Sequence, residues 1–144
     1  MKFLAMRLMQ IGLKVYLVGE VCTPSIREGD LLLVGSGSGE TAGMIAICKK
    51  AKAAGAEVAV FTKNRNSTIA SIAKVAVQLN TAKPIQEGAA DPDGWIEGNY
   101  FSIRPSGNPF EQSIVIVGDA MVCELMQKTN CGTAKIAYNH ANLE

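Results

Sequence analysis

Residues 31–41 read LLLVGSGSGET, an apolar run followed by a turn that contains three glycines and two serines. A continuous apolar run of this kind is typical of a strand in a sheet that is covered on both faces. The residues that follow, ETAGMIAICKKAKAA at 40–54, have the composition of a helix, which Gly55 would close. The stretch therefore predicts a strand, a turn and a helix in direct succession.

Strands and helices alternate along the rest of the chain. Four strands are predicted, at 14–20, 27–37, 57–64 and 75–80. Helices are predicted at 2–12, 40–54, 67–75 and 108–129, with a loop rich in Pro, Gly and Asp at 81–107. This alternation predicts a parallel, doubly wound sheet with right-handed crossovers. At 144 residues, the chain has the length of one domain, residues 1–144.

Charge and hydropathy exclude several classes of partner. The chain carries 14 basic and 13 acidic residues without long runs, which gives no electrostatic footprint for nucleic acid or an anionic membrane. The apolar residues of the N-terminus are interrupted by Arg7, Gln10 and Lys14, so neither a signal peptide nor a membrane span fits. We therefore expect a soluble, cytoplasmic protein.

The four cysteines, Cys22, Cys48, Cys123 and Cys131, show no C-x-x-C spacing. The chain has one histidine, so a zinc site built from cysteine and histidine is not expected. We expect reduced, buried thiols and no bound metal.

The glycine- and serine-rich turn lies where a strand ends and a helix begins, the place where open α/β sheets bind ligands. A P-loop is excluded because its motif requires a lysine, and the turn has none. A dinucleotide site is disfavoured because Gly35-x-Gly37 is followed by Glu40 in place of the third glycine. The next strand ends in FTK at 61–63, without the acid that would hold a ribose.

Two interpretations of the turn remain. In the first, the hydroxyls of Ser36, Ser38 and Thr41, with backbone amides such as that of Gly37, bind one small phosphate group. In the second, the turn is structural and Ser38 caps the helix that follows. The residues of the turn alone do not decide between the two.

Four segments carry a resemblance to a known family: AMRLMQIG at 5–12, VYLVGEVCTPSIREGDLLLVGSGSGET at 15–41, SGNPFEQ at 106–112 and NHANLE at 139–144. They resemble the sugar isomerase (SIS) domain family and, within it, the 6-phospho-3-hexuloisomerases. The resemblance implies a flavodoxin-like, three-layer αβα sandwich that interconverts 3-hexulose 6-phosphate and fructose 6-phosphate without metal or organic cofactor. It also implies a homotetramer, with the phosphate held by Ser36, Ser38 and Thr41.

The chain departs from the family pattern at its N-terminus. The family has a helix, a strand and a serine-bearing loop of the type G-A-G-R-S-G before the helix at 2–12. The resemblance therefore predicts an N-terminally truncated SIS domain that lacks a central strand between the strands at 14–20 and 30–35. Two alternatives to an active isomerase follow: a non-catalytic phosphosugar-binding module and a structural fragment that binds nothing.

Glu111 is the candidate catalytic base. Moving a proton between adjacent carbons through an enediolate requires one base, and a carboxylate whose pKa is raised by burial suits this role. The alternative is a capping box, with Asn108 as N-cap, Pro109 at the first helical position and Glu111 reaching back. The family resemblance favours the base.

Other candidates have weaker support. Glu40 would interact with a helix N-terminus or contact the ligand, Arg104 would balance the phosphate, and Glu20 would line the same crevice. The resemblance places His140 near the sugar, where an imidazole could open the ring. The apolar helix at 109–129 suggests a subunit interface, so we expect His140 to act in a neighbouring subunit.

Overall fold

The computed structural model describes residues 1–81 and 108–143, and eight helices and strands lie within them. They are α1 (Lys2–Gln10), β1 (Leu31–Gly35), α2 (Ala42–Ala53), β2 (Glu57–Thr62), α3 (Thr68–Ile72), β3 (Val75–Gln78), α4 (Asn108–Lys128) and α5 (Thr133–Tyr138). Most of the loop predicted at 81–107, with Arg104, lies outside the described residues.

The three strands form a parallel sheet, as predicted, and their order is β1-β2-β3. Val34 of β1 pairs with Val60 of β2, and Phe61 of β2 pairs with Val77 of β3. Because the strands are parallel, their carboxyl ends lie at one edge of the sheet. The turn that follows β1 therefore lies next to the residues that follow β2.

Helices cover both faces of the sheet. On one face the core side chains come from β1, β2, α2 and α3, and include Leu32, Val34, Cys48, Val58, Val60 and Ile69. On the other face the sheet packs against α1 and α4, and the buried side chains include Leu4, Phe61, Leu79, Phe110, Ile114 and Val122. The predicted three-layer αβα architecture is confirmed.

The strand predicted at 14–20 is wrong. The side chains of this segment do alternate, because Val15 and Leu17 are half-buried while Tyr16 and Val18 are exposed. A strand also needs a hydrogen-bonded neighbour, and within residues 1–81 and 108–143 the sheet contains β1, β2 and β3 alone. The alternation of side chains therefore reflects which residues of this segment are buried, and it does not show that the segment pairs with a strand.

Glycine and serine residues occupy several helix ends, including the predicted end of α2 at Gly55. Gly12 and Gly55 have positive φ angles of 93° and 86°, directly after the residues that cap α1 and α2. Ser67 is the N-cap of α3, and its hydroxyl accepts a hydrogen bond from the Ala70 amide at 3.3 Å. Helix α5 was not predicted.

Two of the four thiols are buried, Cys48 and Cys131, whereas Cys22 and Cys123 are exposed, so the expectation of four buried thiols is wrong. All four are free cysteines. Burial raises the pKa of the Cys48 thiol. In the described parts of the chain, no helix has the length and apolar content needed to cross a membrane.

Candidate functional site

Backbone hydrogen bonds hold the turn at 36–41 against the carboxyl end of β2. The Ser36 amide donates to the Phe61 carbonyl at 3.0 Å, and the Lys63 amide donates to the Gly37 carbonyl at 3.0 Å. The Thr62 hydroxyl also donates to the Gly37 carbonyl, at 3.3 Å. The turn is therefore fixed by the neighbouring strand and not by its own residues alone.

The hydroxyls of Ser36 and Ser38 have different surroundings. Ser36 is buried, and its Oγ accepts a hydrogen bond from the Gly39 amide at 3.1 Å. Ser38 is exposed, and its Oγ accepts from the Glu40 amide at 3.2 Å. Both oxygens thus shape the turn as acceptors, and each hydroxyl retains a hydrogen that it can donate to a ligand.

The N-cap of α2 is Thr41, so the interpretation in which Ser38 caps this helix is wrong. The Thr41 side chain is exposed and makes no capping hydrogen bond. Its hydroxyl therefore lies at the helix N-terminus without being used by the helix. This arrangement suits an anion bound at the first turn of α2.

Gly39 is required by a close approach between the turn and α3. Its φ angle is +70°, and a Cβ atom at this position would lie 2.0 Å from Ser67 Oγ. The Gly39 carbonyl accepts a hydrogen bond from the Ile69 amide at 3.0 Å. The buried side chains of Thr62 and Ser67 thus support the turn, and sequence reasoning missed both of these contacts.

The carboxylate of Glu40 is bound to α3. It accepts hydrogen bonds of 2.7 Å from both the amide and the hydroxyl of Thr68. These bonds, the hydroxyl bond first, lower the pKa of Glu40. The carboxylate therefore interacts with a helix N-terminus, as expected, but with that of α3 and not that of its own helix.

Lys63 contacts the turn and was not among the predicted site residues. A Cβ atom built at Gly37 would lie 3.0 Å from Lys63 Cε and 3.7 Å from its Nζ. Burial lowers the pKa of the Lys63 ammonium. No local pattern could have found this contact, because residues 37 and 63 lie on successive sheet crossovers.

The first turns of α4 pack over the turn. A Cβ atom at Gly37 would lie 3.5 Å from Phe110 Cδ1, and one at Gly35 would lie 3.1 Å from Ile114 Cδ1. Glu111, next to Phe110, is exposed, so the expected burial of this carboxylate is wrong for a single chain. Phe110 and Ile114 occupy the buried stripe at a spacing of four residues, which turns Glu111 toward solvent.

Glu20 and His140 lie in other segments of the chain, before β1 and after α5. Glu20 forms an ion pair with Lys2 at 3.7 Å and lines a surface groove of about 360 Å³ beside α1. His140 is exposed, after Asn139, whose side-chain amide donates to the Gln10 carbonyl at 2.9 Å. Asn108 has no described side chain, so the capping box stays a prediction.

Comparisons of this chain with known proteins agree on one family. A family model described as SIS domain matches residues 2–91. A protein of Bacillus subtilis (strain 168) named 3-hexulose-6-phosphate isomerase is 37% identical over 143 residues, which cover 99% of this chain and 72% of that protein. A protein of Mycobacterium gastri with the same name is 37% identical over 144 residues, which cover 100% of this chain and 67% of that protein.

A solved structure agrees with these relatives. It is a crystal structure of a Methanococcus jannaschii protein, described as inferring a molecular function of 3-hexulose-6-phosphate isomerase. It aligns with a TM-score of 0.80 and 30% identity, covering 99% of this chain and 71% of that one. With a family model that matches more than half of its residues and relatives that align along nearly all of it, the chain belongs to the SIS domain family.

Proposed function

We propose that this chain is a phosphosugar isomerase that interconverts 3-hexulose 6-phosphate and fructose 6-phosphate. The observation that carries the proposal is the hydroxyl-bearing turn at 36–41, with the start of α4 packed over it. Relatives named 3-hexulose-6-phosphate isomerase, at 37% identity, support the choice of substrate.

The phosphate group binds at the turn. Ser38 and Thr41 donate from their exposed hydroxyls, and Ser36 and the Gly37 amide complete the set of donors. The N-terminus of α2 adds its unpaired amides and the positive end of its dipole. No group of three or more His, Cys, Asp or Glu residues suited to a metal occurs in the parts of the chain that the structure describes.

Glu111 acts as the base. It removes the C–H proton from the carbon next to the carbonyl, which gives an enediolate, and returns a proton to the former carbonyl carbon. The hydroxyl proton of the first carbon moves the same way, to the former carbonyl oxygen, so the two carbons exchange oxidation states and the reaction needs no external oxidant or reductant. His140 assists ring opening from a neighbouring subunit, because an imidazole can both accept and donate a proton.

The active form is a cytoplasmic homotetramer. Ile116 of α4 is 70% exposed and Val115 is 40% exposed in the single chain, which supports an apolar contact with another subunit. Glu111 lies beside Val115 on the same exposed side of α4, so such a contact would also bury the base. That burial would give the carboxylate the surroundings that an isomerase base requires.

A second function is a phosphosugar-binding module without turnover. The exposure of Glu111 in the single chain favours it. Thermal melts with fructose 6-phosphate, combined with an assay for the 3-hexulose product, separate the two functions. If the chain is an isomerase, fructose 6-phosphate should raise its melting temperature and the 3-hexulose product should form. If it is a binding module, the melting temperature should rise without product. No shift with millimolar ligand and no product would reject both.

A further inference from the structure

The proposed phosphate site has a deficit of positive charge. A phosphate monoester carries about −1.5 to −2 charges at pH 7. The turn at 36–41 contains no basic residue, and Glu40 adds a negative charge within it. Hydroxyls and amides supply hydrogen bonds but no full positive charge, so a cation from another part of the fold would complete the site.

Lys63 is held where such a cation is needed. Its backbone amide donates to the Gly37 carbonyl at 3.0 Å, and its carbonyl accepts from Gln78 Nε2 at 3.2 Å. The half-buried side chain passes over Gly37, where a Cβ atom would lie 3.7 Å from Nζ. The glycine thus leaves the space that the lysine side chain occupies against the turn.

We propose that Lys63 is a phosphate-binding residue, whose ammonium supplies the charge that the turn itself lacks. The inference rests on the proposed function and adds a residue to it. The carboxylate of Glu40, the acidic side chain of the turn, accepts two hydrogen bonds from Thr68. An ammonium is a compact point charge that suits a phosphate group approached from one side.

Calorimetric titration with fructose 6-phosphate tests the inference in Lys63→Met, Lys63→Arg and the control Lys74→Met. Lys74 pairs with Glu57 at 3.3 Å, so its loss removes the same charge from another place. Lys63→Met should weaken binding by about tenfold to a hundredfold, the range for hydrogen bonds to charged groups. The affinities of Lys63→Arg and Lys74→Met for fructose 6-phosphate should lie within about threefold of that of the unchanged chain, because each variant keeps a cation at position 63.

Gly37→Ala tests the position of the ammonium with its charge retained. The added Cβ would lie 3.0 Å from Lys63 Cε, so the flexible side chain must move away from the turn. This variant should also bind more weakly, which keeps the inference testable where Lys63→Met does not fold.

Three outcomes decide the matter. Weaker binding by Lys63→Met, with Lys63→Arg and Lys74→Met unchanged, supports the inference. If Lys63→Met and Gly37→Ala bind fructose 6-phosphate as tightly as the unchanged chain, and Ser38→Ala binds it more weakly, the role of Lys63 is overturned. The proposed function then still stands. An unchanged chain that binds no fructose 6-phosphate overturns both.

Discussion

The carboxylate of Glu40 accepts two hydrogen bonds of 2.7 Å from Thr68, one from its backbone amide and one from its hydroxyl. They connect the turn after β1 to the first residue of α3, 28 residues later in the chain. Both bonds favour the ionised carboxylate, which is why the pKa of Glu40 is lowered. The turn and α3 are therefore held together most strongly while Glu40 is charged.

Glu40→Gln is expected to lower the melting temperature at neutral pH, because an amide oxygen accepts weaker hydrogen bonds than a carboxylate. A carboxyl whose pKa is lowered by folding adds stability above its unfolded pKa, and that stability is lost as the pH falls through the folded pKa. The difference in melting temperature between the two proteins should thus be largest near neutral pH. It should shrink as the pH falls below the ordinary pKa range of glutamate.

Thermal melts from about pH 7 down to about pH 3 measure this difference across the titration of glutamate. Glu28→Gln, at an exposed position, is the control. A difference between Glu40→Gln and the unchanged chain that is the same at every pH would contradict the role of the Thr68 bonds.

Gly39→Ala is expected to destabilise the fold by at least about 1–2 kcal/mol, the cost of a left-handed conformation for a residue with a side chain. The clash with Ser67 Oγ, 2.0 Å from the added Cβ, increases this cost. Gly43→Ala is the matched control in α2, where nothing lies within 4 Å of the added Cβ and alanine favours the helix. Urea unfolding midpoints compare the two variants, and equal midpoints would be evidence against the packing of Gly39 on Ser67.

The sheet could be predicted from the sequence because its signals are local. The apolar run of β1, the glycine that follows α2 and the serine that caps α3 each lie within a few residues of the element they define. The segment 14–20 shows the limit of such signals, because side-chain alternation cannot supply a neighbouring strand.

The candidate site was predicted only in part, since its supports come from distant positions. Ser36, Ser38 and Thr41 lie in one turn and could be found from composition. The contacts of Gly37 with Lys63 and of Glu40 with Thr68 join residues that are 26 and 28 positions apart, so no local pattern contains them. They follow from the parallel order of β1 and β2, which brings their carboxyl ends together.

Ser38→Ala is expected to weaken the binding of fructose 6-phosphate by about 1–3 kcal/mol, the range for a hydrogen bond to a charged group. The fold should keep its melting temperature because Ser38 is exposed, and its partner, the Glu40 amide, can bind water instead. Ser71→Ala, which removes another exposed hydroxyl from α3, is the control for calorimetry. If both variants bind the phosphosugar with equal affinity, Ser38 is not a phosphate-binding residue.

Removal of residues 140–144 is expected to reduce turnover without lowering the melting temperature. The shortened chain keeps Asn139, which donates to the Gln10 carbonyl at 2.9 Å and holds the start of the tail on α1. Mixing Glu111→Gln subunits with His140→Gln subunits should restore part of the activity, since some sites in a mixed oligomer contain both intact residues. A monomer in solution, or a mixture as inactive as its components, would contradict a site shared between subunits.

Proton exchange on fructose 6-phosphate in heavy water, followed by NMR, tests the assignment of an isomerase site most directly. The unchanged chain should form the 3-hexulose product and place solvent deuterium on the carbon that receives the proton. Glu111→Gln should slow this exchange by about 10²–10⁴-fold, the usual contribution of a general base, while a glutamine can still serve a capping box. Glu124→Gln, on the same helix and paired with Lys128 at 3.4 Å, should exchange at the unchanged rate. Exchange by Glu111→Gln as fast as by the unchanged chain, or a chain that binds the sugar and exchanges nothing, would contradict the assignment.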